Sequence, residues 1–444
     1  LHPQIKYYFY PVYSLSQMKK LLFATLFVPL LAGAQTNTDS LKYISSVKYY
    51  TKALTQEPNN ADYYHKRGAA YLNLDNFKDA LDDLNKSISI DVKTEETFFD
   101  RGRTYFALKD YDKAIADYTK AIALKRGNTD AFYNRGLAKR QKEDYKGALL
   151  DYNQAILLNP KDPDAFIERG ICKKHLEDYK GAIADYTRAI ALDPKETDPY
   201  YNRALAKNSL KDYKGAIADL DLVISKEQNR SDAYFARGNA RRKLGLYKDA
   251  IADYSVYINL EPGDVDGYNN RSLAKINMED YYGAKEDATK AITIDNKFSA
   301  PYYNRGLAED GLNDPNSSID DYTQYIALEP KDADGYLKRG NAKFDLEDYK
   351  NAMVDYNEAI KLDPQYSNAL YNRALCKRNL NDYKGAIADY NQVLLLDPKN
   401  DDAYNNRGYA KHLLNDNTGA CADFNKAAAL GNKLAPDNIK KYCK

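Results

Sequence analysis

The side chains with the greatest chemical reach in this 444-residue sequence are His65, His175 and His412, and adjacent carboxylates such as Asp82–Asp83 and Asp320–Asp321. Histidines and paired carboxylates are common means of holding a divalent metal or of moving a proton. Neither set forms a constellation here. The histidines are scattered along the chain, too far apart to share one metal, and His2 lies in a leading stretch expected to be removed. The second carboxylate of each pair belongs to a strict repeat. No glycine-rich phosphate loop, nucleophile elbow or metal-binding cysteine pair occurs. The sequence therefore predicts a protein that is not an enzyme, with no catalytic residue, no metal site and no cofactor.

The repeat is marked by arginine. Arg67, Arg101, Arg135, Arg169, Arg203, Arg237, Arg271, Arg305, Arg339, Arg373 and Arg407 follow one another at intervals of 34 residues without a slip. Asp83 through Asp423 recur in the same register, sixteen positions after each arginine. An arginine near a helix interface needs an anionic partner, because an unpaired buried charge costs several kcal/mol. The matching series predicts arginine–aspartate pairs joining helices, within a unit or between neighbours. A basic groove lined by these arginines is the alternative reading.

The elements that hold them are legible in the third unit, 129–162. Phe132, Gly136 and Lys139 share one face of a first helix, and Ala148, Leu149, Tyr152, Ala155 and Ile156 stripe a second. Glu143–Asp144 marks a break between the two, and Asn159–Pro160 ends the unit, since proline disfavours helical geometry in the residue before it. Glycine after the arginine removes a side chain where the helices approach. Each unit is a helical hairpin, and stacked hairpins bury their apolar faces on each other.

This pattern resembles the tetratricopeptide repeat. The fourth position is Tyr or Phe in ten copies and Leu370 in the other; the twentieth is alanine in ten and Ser318 in the eighth. Proline fills position 32 in six: Pro160, Pro194, Pro262, Pro330, Pro364 and Pro398. The resemblance covers residues 61–434 and implies an all-α, right-handed superhelical solenoid of about eleven helical hairpins with capping helices. Arginine at position 7 departs from the family, where leucine is usual.

In the family, positions 2, 5, 6, 9, 12 and 13 of each first helix line a concave surface that commonly holds an extended peptide or a partner helix. Position 5 here carries Phe99, Tyr133, Tyr201, Phe235, Tyr303 and Tyr371, rigid aromatics that either pack between units or offer contact area at low entropic cost. Position 12 adds Arg140, Lys174, Arg242 and Arg378. Position 6 carries Asn134, Asn202, Asn270, Asn304, Asn372 and Asn406, similar to the asparagine ladder with which O-linked N-acetylglucosamine transferases hold a peptide backbone. An amide suits that task because it both donates and accepts. Lys66, Asp100, Glu168, Ala236 and Lys338 interrupt the series. The clamp that grips chaperone tails is not matched: no lysine stands at position 5 and no arginine at position 6.

The ends carry signals of their own. Residues 1–17 read as an upstream extension. Residues 18–34 read as a signal peptide: Met18, Lys19 and Lys20, an apolar run, then Ala32-Gly33-Ala34 as a cleavage site. Residues 35–60 read as an N-terminal capping helix and 435–444 as a C-terminal capping segment. Export to the periplasm or outside the cell is expected, with no integral membrane span after signal cleavage. Without residues 1–34 the chain has 62 basic and 64 acidic side chains, a balance with no bulk attraction for nucleic acid. Cys172 and Cys376 replace alanine at a buried position. Cys421 and Cys443 are candidates for a disulfide, which spacing alone does not decide.

The function expected is a non-catalytic protein-interaction scaffold with a protein or peptide ligand in its groove. A glycan-binding envelope protein using the groove tyrosines is the alternative. The partner's identity and the oligomeric state do not follow from the sequence.

Overall fold

The computed structural model describes residues 32–443. The expected extension and nearly all of the expected signal peptide lie outside the described residues; Ala32-Gly33-Ala34 forms the first turn of α1 (Ala32–Gln56). Among the described residues there are 24 α-helices and no strand. Eleven hairpins follow α1, from α2 (Ala61–Asn73) and α3 (Phe77–Ile90) to α22 (Asp401–Leu413) and α23 (Asn417–Leu430). A last helix, α24 (Ala435–Tyr442), follows them. The chain divides into two compact bodies, one ending at Pro199 and one beginning at Tyr200. No described helix is long and apolar enough to cross a membrane.

The third hairpin, α6 (Thr129–Gln141) and α7 (Tyr145–Leu158), shows why the sequence folds this way. Asn128 caps α6, its side chain accepting from the Ala131 amide at 2.9 Å. Asp144 caps α7 by accepting from Gly147 N at 2.9 Å. Each cap satisfies an amide that the helix leaves without a partner. The turn between them needs a left-handed residue, and Glu143 supplies it at φ 61°. The same position is left-handed in every repeat, from Asp75 to Asn415, and is glycine only at Gly245.

Between the helices, side-chain volume is traded across the interface. A Cβ added to Gly136 meets the Tyr152 ring at 2.8 Å. Tyr152, Ala148 and Ala155 are fully buried. Where position 8 gains a side chain, position 24 shrinks in two cases: Ala204 faces Leu220, and Ser272 shares its repeat with Ala288. Ala374 beside Tyr390 shows that one methyl group is tolerated when the surroundings adjust.

The arginine–aspartate pairs form in all eleven repeats, and they lie within a unit. Arg135 donates from Nε to Asp151 Oδ2 at 3.0 Å and from Nη2 to Oδ1 at 2.6 Å, a two-pronged bond from first helix to second. Asp151 is 2% exposed. The third nitrogen reaches the preceding repeat: Nη1 of Arg135 donates to Thr119 Oγ1 at 3.0 Å. Asn85 and Asn153 serve Arg101 and Arg169 in the same way. In the second body Asp221, Thr323 and Asn391 do so for Arg237, Arg339 and Arg407. The aspartate also takes a second cation in many repeats, as Lys139 does for Asp151 at 2.8 Å. The basic-groove alternative fails, because the guanidinium hydrogen bonds go to these partners.

Candidate partner-binding surface

The face defined by positions 2, 5, 6 and 12 is built from first helices, each held against its own second helix by the arginine fork. In the first body, α6 and α8 (Pro163–His175) set Tyr133, Asp164, Ile167 and Glu168 around a cleft of about 260 Å³, with Glu196 and Asp198 completing it. Arg140 lies on the same face, its Nε 2.7 Å from Glu168 Oε2. That contact is a charge pair, not an aligned hydrogen bond. Burial raises the Glu168 carboxyl above the ordinary range, against the opposing pull of Arg140. Burial likewise lowers Lys174 and His175, the second with help from the Lys174 charge.

The aromatic residues of position 5 are half-buried and engaged. Phe99 packs on Tyr118 at 5.8 Å between ring centres, Tyr133 on Tyr152 at 5.8 Å, and Tyr371 on Tyr390 at 5.7 Å. Phe235 contacts Tyr254 and Tyr257, and Tyr303 contacts Tyr322 and Tyr325. Each of these five therefore meets the large residue at position 24 of its own repeat. Tyr201 is covered by the Arg230 guanidinium, 4.6 Å from the ring centre. The hydroxyl of Tyr303 donates to Asp334, and Tyr366 donates to the other oxygen of the same carboxylate.

The asparagines do not make one uniform row. Asn134 and Asn270 donate to backbone oxygens one turn earlier in their own helices, Asp130 O at 2.8 Å and Asp266 O at 2.9 Å. Asn304 and Asn372 instead reach the preceding repeat, at Asn269 Oδ1 and Asn341 Oδ1, both 2.8 Å. Asn406 donates to Tyr371 Oη at 2.8 Å and accepts from Arg378 at 2.7 Å. Asn202 is buried. Arg242 has its Nε buried without a hydrogen bond. In the second body, the structure thus joins Asn304, Asn372, Asn406, Tyr371 and Arg378 into polar contacts between successive first helices; in the first body the corresponding contact is Arg140 with Glu168.

At the C-terminal end, Cys421 and Cys443 are bonded, with sulfurs 2.06 Å apart. Cys172 and Cys376 are free thiols, both buried. Two sets of residues escaped the sequence reading. Position 25, the acceptor for the arginine of the next repeat, is always Thr, Asn, Asp or Ser, as in Thr51, Asn85, Asp221 and Ser255. Position 11, the second cation on the aspartate, is Lys or Arg in eight repeats. Both signals lay in the repeat register.

Profiles described as tetratricopeptide repeat match residues 49–82, 135–198, 173–229 and 265–298, and one described as TPR repeat matches 102–139, 340–376 and 377–415. Together the spans cover more than half of the chain. No curated protein matches the sequence. Among solved structures, YrrB, a TPR protein with an unusual peptide-binding site, is 23% identical over 42% of this chain and 97% of its own, with a TM-score of 0.40. The C-terminal part of a TPR repeat-containing protein from Cytophaga hutchinsonii is 21% identical over 54% of this chain and 98% of its own, with a TM-score of 0.47. A tetratricopeptide repeat protein from Parabacteroides merdae is 18% identical over 53% and 93%, with a TM-score of 0.43.

Proposed function

The chain belongs to the tetratricopeptide repeat family, and on that premise we propose that it is a non-catalytic scaffold for protein–protein interaction. It holds an extended segment or a helix of a partner protein along the face of its first helices. The observation that carries this reading is the seam between successive first helices, as where Asn304 bonds Asn269 and Asn406 bonds Tyr371. A seam of this kind fixes neighbouring first helices at one spacing before any partner arrives, which lowers the ordering cost of binding. Packing of the position-5 rings on their own second helices favours a peptide over a glycan, since a sugar needs a free ring face to stack on.

The same reading takes residues 18–34 as an export signal and the mature protein as periplasmic or secreted. The Cys421–Cys443 bond supports an oxidising compartment. Residues 35–60 and 435–444 then act as caps on the repeats of 61–434, covering terminal apolar faces.

The test is a cross-linked pull-down from the source cells with residues 35–444 as bait. A second bait carries Asn134→Ala, Lys174→Ala, Arg242→Ala and Asn270→Ala, with its helicity verified by circular dichroism. A partner recovered by the intact face alone supports the proposal. Equal recovery by both baits moves binding off this face and sinks it.

A further inference from the structure

Repeat 8 inverts the charge pattern at one buried position. In repeats 3–7 and 9–11, the residue at position 11 is a cation that meets the aspartate, as Lys275 meets Asp287 at 2.8 Å and Lys343 meets Asp355 at 2.7 Å. Repeat 8 has Glu309 there, on α16 (Ala300–Gly311), and it is 3% exposed. The cation comes instead from the preceding repeat. Lys285, on α15 (Tyr281–Ile294), places Nζ 3.0 Å from Glu309 Oε1. The other oxygen, Oε2, is buried without a hydrogen bond. Asp321, on α17 (Pro315–Leu328), interacts with the same carboxyl and is itself held by both prongs of Arg305.

A buried oxygen without a donor, close to a second carboxylate, changes character with one proton. Protonated, Glu309 has a donor to offer Asp321. Ionised, it adds a negative charge beside one whose guanidinium is already committed. The geometry points to a pH-sensitive joint between α16 and α17, the two helices of repeat 8, closed by an acid–carboxylate hydrogen bond from Glu309 to Asp321 and loosened when Glu309 ionises.

The charged groups around this carboxyl come from three helices: Lys285 on α15, Asp321 on α17, and Arg305 on its own helix. Burial is the largest influence and raises the carboxyl, Lys285 opposes, and Asp321 adds to the rise; the balance lies at about 7. The folded-state value is thus above that of an unfolded glutamate. Its contribution to stability is complete below the unfolded value, near 4.3 for a typical glutamate, and is lost as pH rises through about 7. Modest acidification from neutral pH therefore tightens this joint.

Hydrogen–deuterium exchange on the full chain tests it, following amides of residues 300–328 with rates corrected for intrinsic pH dependence. In the wild type, opening of this hairpin should rise on the order of tenfold between pH 5 and pH 7.5. Glu309→Gln cannot ionise and should show no such rise. Lys285→Gln removes the opposing cation and should move the transition to higher pH. A Glu309→Gln variant with the wild-type pH dependence overturns the proposal, as does a flat wild-type profile. If Glu309→Gln fails to fold, the Lys285→Gln midpoint decides: an unmoved transition overturns it as well.

Discussion

Arg271 and Ser255 belong to different repeats, and the hydrogen bond from Arg271 Nη1 to Ser255 Oγ, 2.9 Å long, joins them. The same guanidinium gives Nε and Nη2 to Asp287 within its own repeat, at 2.8 and 2.7 Å. One side chain thus ties three helices, and its plane also lies over the Tyr268 ring at 5.9 Å. A leucine at this position can pack but cannot bond. The arginine adds direction to an interface that apolar burial alone leaves free to slide.

Removing the acceptor is the harshest test of this unit. Asp287 is 3% exposed and faces two cations, Arg271 and Lys275. Asp287→Ala leaves both without their partner and should cost about 3–5 kcal/mol, the usual penalty for breaking a buried pair from one side. Arg271→Lys keeps the charge but loses the fork, and should cost about 1.5–3 kcal/mol. Urea unfolding followed by tyrosine emission reads both, since the chain has no tryptophan. Equal and negligible effects contradict the structural role.

The bond between repeats is weaker and separable. Ser255→Ala should cost about 0.5–1.5 kcal/mol, the net worth of one ordinary hydrogen bond. Because Arg271 is its donor, a double-mutant cycle of Ser255→Ala with Arg271→Lys should return a coupling energy of at least 0.5 kcal/mol. Additive effects would show that the two repeats are held by apolar packing alone.

The hairpins were readable in the sequence because their causes are local and recur: the break between the two helices, the small residue after arginine, the alanine at position 20. The arginine–aspartate pairing was readable as chemistry, but its placement within a unit was not, because spacing of sixteen suits either arrangement until the turn geometry is known. The proposed binding face was least legible. Asn134 and Asn304 share a repeat position, yet one bonds its own helix and the other its neighbour. What differs is the residue across the joint, Asn269 for Asn304 and Phe99 for Asn134. A row of identical residues does not specify identical roles when their neighbours vary.

The turn residues make a prediction in two directions. Glu177 is held at φ 62°, where a side chain strains the backbone by about 1–2 kcal/mol. Glu177→Gly removes that strain but frees the unfolded chain by about 0.4–1 kcal/mol. The strain is larger, so a net gain of about 0.5–1 kcal/mol is expected. Gly245→Ala, at φ 76°, should lose a similar amount. Thermal melts of both variants check the pair; a change of the same sign in each contradicts the argument.

The disulfide holds the last helix over the eleventh repeat. Tyr442 lies against His412 at 4.2 Å between ring centres, and Asn438 donates to Asn405 at 2.8 Å. The cross-link spans 22 residues, which by chain entropy stabilises the closed segment by about 3 kcal/mol. Cys443→Ser should therefore expose α24 to proteolysis and leave repeats 1–10 unchanged. Identical cleavage in both proteins would mean that packing alone secures the cap.

The sharpest packing test exchanges volume between Gly136 and Tyr152. Adding a methyl group at Gly136 places it 2.8 Å from the Tyr152 ring, too close unless the ring moves. That ring is fully buried and packed beside Tyr133, so the shift propagates to the proposed binding face. Gly136→Ala should cost about 1–3 kcal/mol, the range for overfilling a packed site. Tyr152→Leu alone leaves a void and should cost about 2–4 kcal/mol. Together they recreate the Ala204–Leu220 pairing that repeat 5 already uses, so the double variant should cost at least 1 kcal/mol less than the sum of its parts. Strict additivity would mean that the two positions do not share one interface.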